Sequence, residues 1–93
     1  GFALGNFVGL TIERAIASGE QVVRVFTRRA QDMVPALRER GYRITTFDGH
    51  GRDGPVSMLF MEAKRREIPT LLKRAREFDP ACFLIVDDIR LAW

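Results

Sequence analysis

The sequence predicts an α+β fold of the ferredoxin-like type, in which an antiparallel sheet carries two helices on one face. Three observations support this prediction. Four short runs have the composition of strands, two longer runs have helical spacing, and after residue 19 they follow in the order βαββαβ. This order is typical of the split βαβ sandwich. We expect residues 20–93 to form this domain and residues 1–19 to form an extra N-terminal helix or linker.

The first 19 residues open on the apolar stretch GFALGNFVGLTI, which has no initiating methionine. Asn6 is a candidate N-cap for a helix that ends near Ser18, with Gly19 at the position that follows the cap. The apolar part covers about 12 residues, which is too short to cross a bilayer. It also lacks the charged start and cleavage site of a signal peptide. We expect this segment to join the domain to a larger protein.

The first strand and first helix of the domain follow this segment. Residues 21–27, QVVRVFT, are rich in β-branched side chains, as strands are. Residues 29–40 repeat apolar side chains at helical spacing, and Gly41 is placed to end the helix. Pro35 is tolerated only near the first turn of a helix, so we expect this helix to begin late or to bend.

Two further strands surround a glycine-rich segment. Residues 42–48, YRITTFD, alternate as a half-buried strand does, whereas residues 56–63, VSMLFMEA, are apolar at nearly every position. A strand that is apolar on both faces is usually central or covered by a partner subunit. The uncovered face of the sheet therefore needs a cover, which is a second subunit, the extra helix or a ligand.

The second helix and the last strand complete the domain. Residues 68–78 have the clearest amphipathic pattern in the chain, and Asp79-Pro80 ends it. Residues 82–86, CFLIV, predict the last strand. Cys82 lies in this apolar run, so we expect it to be a small buried hydrophobic residue and not a nucleophile.

The glycine-rich segment holds most of the candidate binding residues, which are Gly49, His50, Gly51, Arg52, Asp53 and Gly54. Its G-x-G-x-x-G spacing has the letters of the dinucleotide-binding motif, but that motif opens a helix and here a strand follows. Glycine-rich turns can present successive amide groups to an anion. The residues favour a hairpin turn first and a phosphate-binding loop second.

Basic residues at the other end of the same strand extend the candidate binding set. Arg65 and Arg66 follow the strand that Arg52 precedes, so the strand's length separates them in one subunit. A neighbouring subunit could bring them together. Thr27 closes the first strand beside two arginines, and we expect it to cap the next helix and to offer its hydroxyl to a phosphate.

Composition excludes several classes of site. A single cysteine and a single histidine provide no metal site and no cysteine-rich zinc site. No nucleophile, base and orienting residue occur together, so we expect neither an enzyme nor a bound cofactor. Thirteen of the 15 basic residues are arginine, because only Lys64 and Lys73 are lysine. The basic residues form no dense stripe, and no nucleic-acid partner is expected.

The chain also resembles a bacterial domain of unknown function. The resemblance is carried by Gly41-Tyr42, the G-x-G-x-x-G at 49–54, K-R-R-E-I-P at 64–69 and E-F-D-P-x-x-F at 77–83. That domain follows transmembrane helices in YitT-type and related short membrane proteins. It is distantly similar to the trimeric PII signalling proteins, although the loop after the second strand is short here. The resemblance implies a sensing or oligomerising domain at the cytoplasmic face of the cell membrane.

Two functions remain open from the sequence. One is a regulatory domain that binds a phosphorylated small molecule, such as a nucleotide, between the subunits of a trimer or dimer. The alternative is a structural domain that only oligomerises a membrane protein. RNA binding is less well supported, because the strand phenylalanines are not accompanied by the RNA-recognition signature.

Overall fold

The computed structural model describes residues 19–89, and their elements follow the predicted βαββαβ order. The strands are β1 (Glu20–Thr27), β2 (Thr45–Gly51), β3 (Gly54–Lys64) and β4 (Phe83–Asp88). The helices are α1 (Ala30–Glu39) and α2 (Ile68–Phe78), and a 3₁₀ turn at Arg65–Glu67 leads into α2. The predicted N-terminal helix lies outside the described residues.

The four strands form one sheet in the order β2-β3-β1-β4, and every neighbouring pair is antiparallel. β3 pairs with both β1 and β2, which confirms the central position predicted from its apolar sequence. β2 and β4 are the edge strands. The chain therefore brings the C-terminal end of β1, the β2–β3 turn and the start of β4 to the same end of the sheet.

Both helices cover one face of this sheet. The fully buried apolar side chains include Val23 and Val25 of β1, Leu59 and Met61 of β3, and residues of both helices, namely Met33, Leu37, Leu71 and Ala75. Burial of each large apolar side chain contributes roughly 1.5–3 kcal/mol. Cys82 belongs to the same cluster at 5% exposure, as predicted for a small hydrophobic residue.

Helix α1 begins at Ala30, so the expected late start is wrong. The amide groups of Asp32 and Met33 donate to the Arg29 carbonyl at 3.1 and 3.0 Å, which forms a regular first turn before the proline. Pro35 removes one hydrogen bond further along, but it lies on the exposed side of the helix, where water can solvate the free carbonyl.

The glycine-rich segment is mainly strand. β2 extends to Gly51 instead of ending at Asp48, because its last residues pair with the beginning of β3 up to Gly51–Gly54. The chain then reverses through the two residues Arg52 and Asp53. The predicted hairpin turn is confirmed, and it is shorter than the glycine-rich segment that was expected to form it.

The last strand begins and ends later than predicted, at Phe83–Asp88 instead of Cys82–Val86. Its two aspartates remain in the sheet because β1 provides polar partners for them. Arg24 donates to Asp87 at 2.6 Å, and Gln21 donates to Asp88 at 2.9 Å.

The second face of the sheet is not covered by either helix, and we call it the open face. Alternation along the paired strands places fourteen side chains on it. They are Glu20, Val22, Arg24 and Phe26 of β1, Thr45 and Phe47 of β2, Val56, Met58, Phe60, Glu62 and Lys64 of β3, and Phe83 and Ile85 of β4, with Asp87 at its end.

Candidate functional site

A cleft of about 640 Å³ lies at the end of the sheet where the β2–β3 hairpin turns, and we call it the hairpin cleft. Five of the nine predicted binding residues line it, namely Thr27, His50, Gly51, Arg52 and Asp53. The other lining residues are Phe26, Arg28, Val56, Asp79, Ala81 and Phe83. The cleft thus joins the end of β1, the hairpin and the segment between α2 and β4.

Two stacked aromatic rings form one wall of the hairpin cleft. Phe26 of β1 and Phe83 of β4 are register partners, and their ring centroids lie 4.8 Å apart at an interplanar angle of 15°. Phe83 is 55% exposed, so a ring face or edge remains open to a ligand. Exposed aromatic rings of this kind can stack on a nucleic-acid base.

Two arginines provide the positive charge of the cleft. Within residues 19–89, the guanidinium groups of Arg28 and Arg52 take part in no ion pair or hydrogen bond. Arg28 follows β1 and Arg52 lies in the hairpin turn, so the two approach the cleft from different segments. A free guanidinium can bind a phosphate through two parallel hydrogen bonds.

Asp79 connects two segments of the cleft wall through hydrogen bonds. Its carboxylate accepts hydrogen bonds from the Thr27 hydroxyl at 2.7 Å, from the Arg28 amide at 3.2 Å and from the Ala81 amide at 3.0 Å. These bonds, that of Thr27 above all, lower the pKa of Asp79, although partial burial opposes them. The carboxylate is therefore ionised at neutral pH, and three donors of the protein stabilise its negative charge.

The role expected of Thr27 differs from the one the structure gives it. Thr27 is 2% exposed, and its hydroxyl donates to Asp79 while it accepts from the Arg29 amide at 3.0 Å. Arg29 itself is the N-cap residue of α1. Thr27 therefore secures the chain just before the helix, and its hydroxyl is committed to partners within the protein.

The four other predicted residues lie elsewhere. Gly49 faces a groove of about 840 Å³ between α1 and the edge strand β2, and Gly54 closes the hairpin turn. Arg65 and Arg66 lie at the far end of β3, whose 11 residues span about 33 Å. Arg65 contacts Asp88 there at 3.6 Å. A single chain thus divides the predicted set between its two ends, as the sequence indicated.

A second cleft of about 590 Å³ lies at that far end and mixes both signs of charge. The basic residues that line it are Arg40, Lys64, Arg66 and Arg74, and the acidic ones are Glu20, Glu62 and Glu67. Glu67 is hydrogen-bonded to Tyr42. Burial and then the charge of Glu67 raise the pKa of Tyr42. The hairpin cleft, where Asp53 and Asp79 accompany Arg28 and Arg52, has no greater excess of positive charge than this cleft. What distinguishes the hairpin cleft is its aromatic wall of Phe26 and Phe83.

Sequence reasoning missed Asp79, Arg28 and the aromatic pair as parts of one site. From the sequence, Asp79 could be identified only as the residue that ends a helix. In the structure its carboxylate accepts a hydrogen bond from the amide two residues later, which is the common Asx-turn. Phe26 and Phe83 were both placed on strands. Their contact depends on the pairing of β1 with β4, which no local pattern reveals.

The described part of the chain contains no group of three or more histidine, cysteine, aspartate or glutamate side chains arranged to hold a metal. None of the helices between residues 19 and 89 has the length and apolar character needed to cross a membrane.

The family model and the curated relatives that match this chain agree with each other. Residues 42–92 match a family described as an uncharacterized protein conserved in bacteria, DUF2179. A UPF0316 protein of Oleidesulfovibrio alaskensis is 49% identical over 97% of this chain and 53% of its own length. A UPF0316 protein of Syntrophotalea carbinolica is 38% identical over 97% and 47%, respectively. The chain spans about half the length of these curated relatives.

Solved structures support the fold. A functionally unknown protein from Pediococcus pentosaceus superimposes with a TM-score of 0.65 and 10% identity, covering 80% of this chain and 94% of that one. A DUF2179 protein from Eubacterium ventriosum gives a TM-score of 0.61 and 15% identity, covering 73% and 97%. At these identities the likeness shows the α+β fold alone.

Proposed function

The chain belongs to the DUF2179/UPF0316 family of uncharacterised bacterial proteins, and from this premise we propose that it is a regulatory domain of a larger membrane protein. In this proposal it binds a small phosphorylated ligand of the nucleotide class, between subunits, on the cytoplasmic side. The single observation that supports the proposal most strongly is the hairpin cleft, where a stacked aromatic pair adjoins two uncommitted arginines.

The chemistry of the cleft suits a nucleotide better than a simple anion. A base can stack on the exposed ring of Phe83 while phosphates reach Arg28 and Arg52. The volume of about 640 Å³ is within the roughly 300–1,000 Å³ of small-molecule sites. The Asp79 carboxylate is occupied by three donors of the protein and, within residues 19–89, forms no ion pair with Arg28 or Arg52, so both guanidinium groups are left for a phosphate.

The proposed role is binding without catalysis. His50 lines the cleft, but no serine or cysteine lines it with the histidine to act as a nucleophile, and the Thr27 hydroxyl is buried. Binding would then act by changing the contact between subunits or the attached part of the larger protein.

A purely structural oligomerisation domain is the second candidate function. The open face favours it, since Phe47, Phe83 and Ile85 are exposed there at 50%, 55% and 41%. Under this alternative, Arg28 and Arg52 are solvated surface charges, and removing either one changes no binding property.

The melting temperature of the 93-residue chain in the presence of nucleotides separates the two functions. The panel consists of adenine and guanine nucleotides and cyclic dinucleotides. A ligand at about 100 times its dissociation constant adds roughly 2.7 kcal/mol. Each kcal/mol raises the melting temperature of a domain this small by roughly 4–8 °C.

The matched variants are Arg52→Ala, in the cleft, and Arg43→Ala, which removes an exposed arginine near the opposite end of the sheet. We expect one compound to stabilise the unmodified chain and Arg43→Ala equally, and Arg52→Ala far less. No stabilisation by any compound, or equal stabilisation of both variants, contradicts the proposed site.

A further inference from the structure

The open face is the largest feature of the molecule that the hairpin cleft does not explain. We infer that a second copy of this chain packs its open face against the first, so that two sheets form the centre of an α-β-β-α sandwich. This specifies the subunit contact that the proposed function assumes, and in that respect it rests on that function. The observations that carry it are nevertheless independent of any ligand.

The apolar character of the face is the first of these observations. Within residues 19–89, the large hydrophobic side chains that remain exposed are Phe47, Phe83 and Ile85, and all three lie on the open face. Phe26, Met58 and Phe60 add partly exposed surface between them. The largest apolar patch on a protein surface is often an interaction site.

The charges of the face favour a protein surface over a nucleic acid. Arg24 is paired with Asp87 at 2.6 Å, and its guanidinium lies 5.8 Å from the centre of the Phe60 ring. At the edge of the face, Lys64 lies among the acidic Glu20 and Glu62. The face has no excess of positive charge, although the chain carries +3. RNA binding requires uncompensated cations, whereas a second apolar sheet does not.

The size of the face predicts the strength of the contact. Four strands about 4.8 Å apart and six residues of about 3.3 Å each give roughly 400 Å² of flat sheet per copy. Two copies together remove roughly 800 Å² of flat sheet from water, which is below the roughly 1,200–2,000 Å² of stable specific interfaces and corresponds to a weak, transient contact. The structure therefore predicts a reversible dimer whose population depends on concentration.

The packing of two such faces follows the known geometry of sheets. Sheets stack about 10 Å apart with their strands roughly aligned or crossed, and their side chains interdigitate. The hairpin cleft shares Phe26, Val56 and Phe83 with the open face, so it lies at the rim of this contact. A ligand in the cleft would touch the edge of the second copy.

Sedimentation equilibrium of the 93-residue chain, without nucleotide, tests the inference over protein concentrations from low micromolar to millimolar. The variant Ile85→Lys places a charge on the face next to Arg24, its register partner. Thr70→Lys adds the same charge at an exposed position of α2 and is the control. Phe47→Lys, at the other edge of the open face, is a second variant, and circular dichroism checks that each protein is folded.

We expect the unmodified chain and Thr70→Lys to shift from 10.6 kDa to twice that mass as concentration rises, and both face variants to remain at 10.6 kDa. A chain that is monomeric throughout overturns the inference, and then residues 1–18 or another partner cover the face. A dimer that survives both face variants overturns it as well. Neither result decides whether a nucleotide binds in the hairpin cleft, which the Arg52→Ala comparison measures separately.

Discussion

At the scale of single residues, Asp79 has the most consequences for the candidate site. Its carboxylate connects the end of β1, the start of the α1 segment and the α2–β4 turn through three hydrogen bonds. Thr27 is buried beside it and uses its hydroxyl as both donor and acceptor. Losing the negative charge of Asp79 leaves these donors with a weaker partner or none.

We therefore expect Asp79→Asn to lower the free energy of unfolding by about 1.5–3 kcal/mol at neutral pH, the usual range for hydrogen bonds to a charged group. The hydrogen bond from Thr27 is the main cause of the lowered pKa of Asp79. Because the pKa of Asp79 is lower in the folded state than in the unfolded chain, the stability that its negative charge contributes is complete above the unfolded pKa. It is lost as the pH falls through the folded value.

Urea unfolding at a series of pH values checks this prediction. The difference in stability between the unmodified chain and Asp79→Asn should shrink as the solution becomes acidic. Asp53→Asn makes the same change in the hairpin turn, where the carboxylate has no hydrogen bond within residues 19–89, and should show little difference. A constant difference at all pH values would show that the charge of Asp79 is not the source of the stability.

At the scale of elements, local sequence patterns predicted all four strands and both helices of the domain, but they did not predict the partners of each element. The glycines of β2 were assigned to a loop because glycine is rare in strands, whereas pairing with β3 holds them in the sheet. The aspartates of β4 remain in the strand through Arg24 and Gln21. These outcomes depend on which strands become neighbours, and a single stretch of sequence does not contain that information.

The end of α1 shows the opposite case, in which a local signal was sufficient. Gly41 was predicted to follow the helix, and it has a φ of +96°. The Tyr42 amide donates to the Leu37 carbonyl at 3.3 Å, and the Gly41 amide donates to the Arg38 carbonyl at 3.0 Å. This is the Schellman arrangement, which satisfies the last carbonyls of a helix.

Replacement of Gly41 by alanine should cost about 1–2 kcal/mol, because an L side chain is strained in this left-handed conformation. Gly49→Ala is the matched control, since Gly49 has no positive φ and an added Cβ would meet only the Val56 carbonyl oxygen at 3.7 Å. In thermal unfolding experiments, the melting temperature of Gly41→Ala should be lower than that of the unmodified chain, and the melting temperature of Gly49→Ala should be nearly unchanged. Equal losses of melting temperature in the two variants would show that backbone strain at residue 41 is not the cause.

At the scale of the whole molecule, one end of the sheet carries the proposed ligand site and one face carries the proposed subunit contact. The fold was predictable from the order of elements, and the family from the residues that resemble it. The hairpin cleft was predictable only in part. Its hairpin residues follow one another in the chain, whereas Arg28, Asp79 and Phe83 reach it through the topology of the sheet.

The measurement that tests the central claim most directly is an amide chemical-shift map of the chain, titrated with the nucleotide that stabilises it most. The account predicts shifts concentrated at residues 26–28, 50–53 and 79–83, with little change at residues 38–43 on the opposite end of the domain. It also predicts that Arg52→Ala needs a higher ligand concentration to reach the same shifts. Shifts centred on the far end of β3, or none with any compound of the panel, would contradict a nucleotide site in the hairpin cleft.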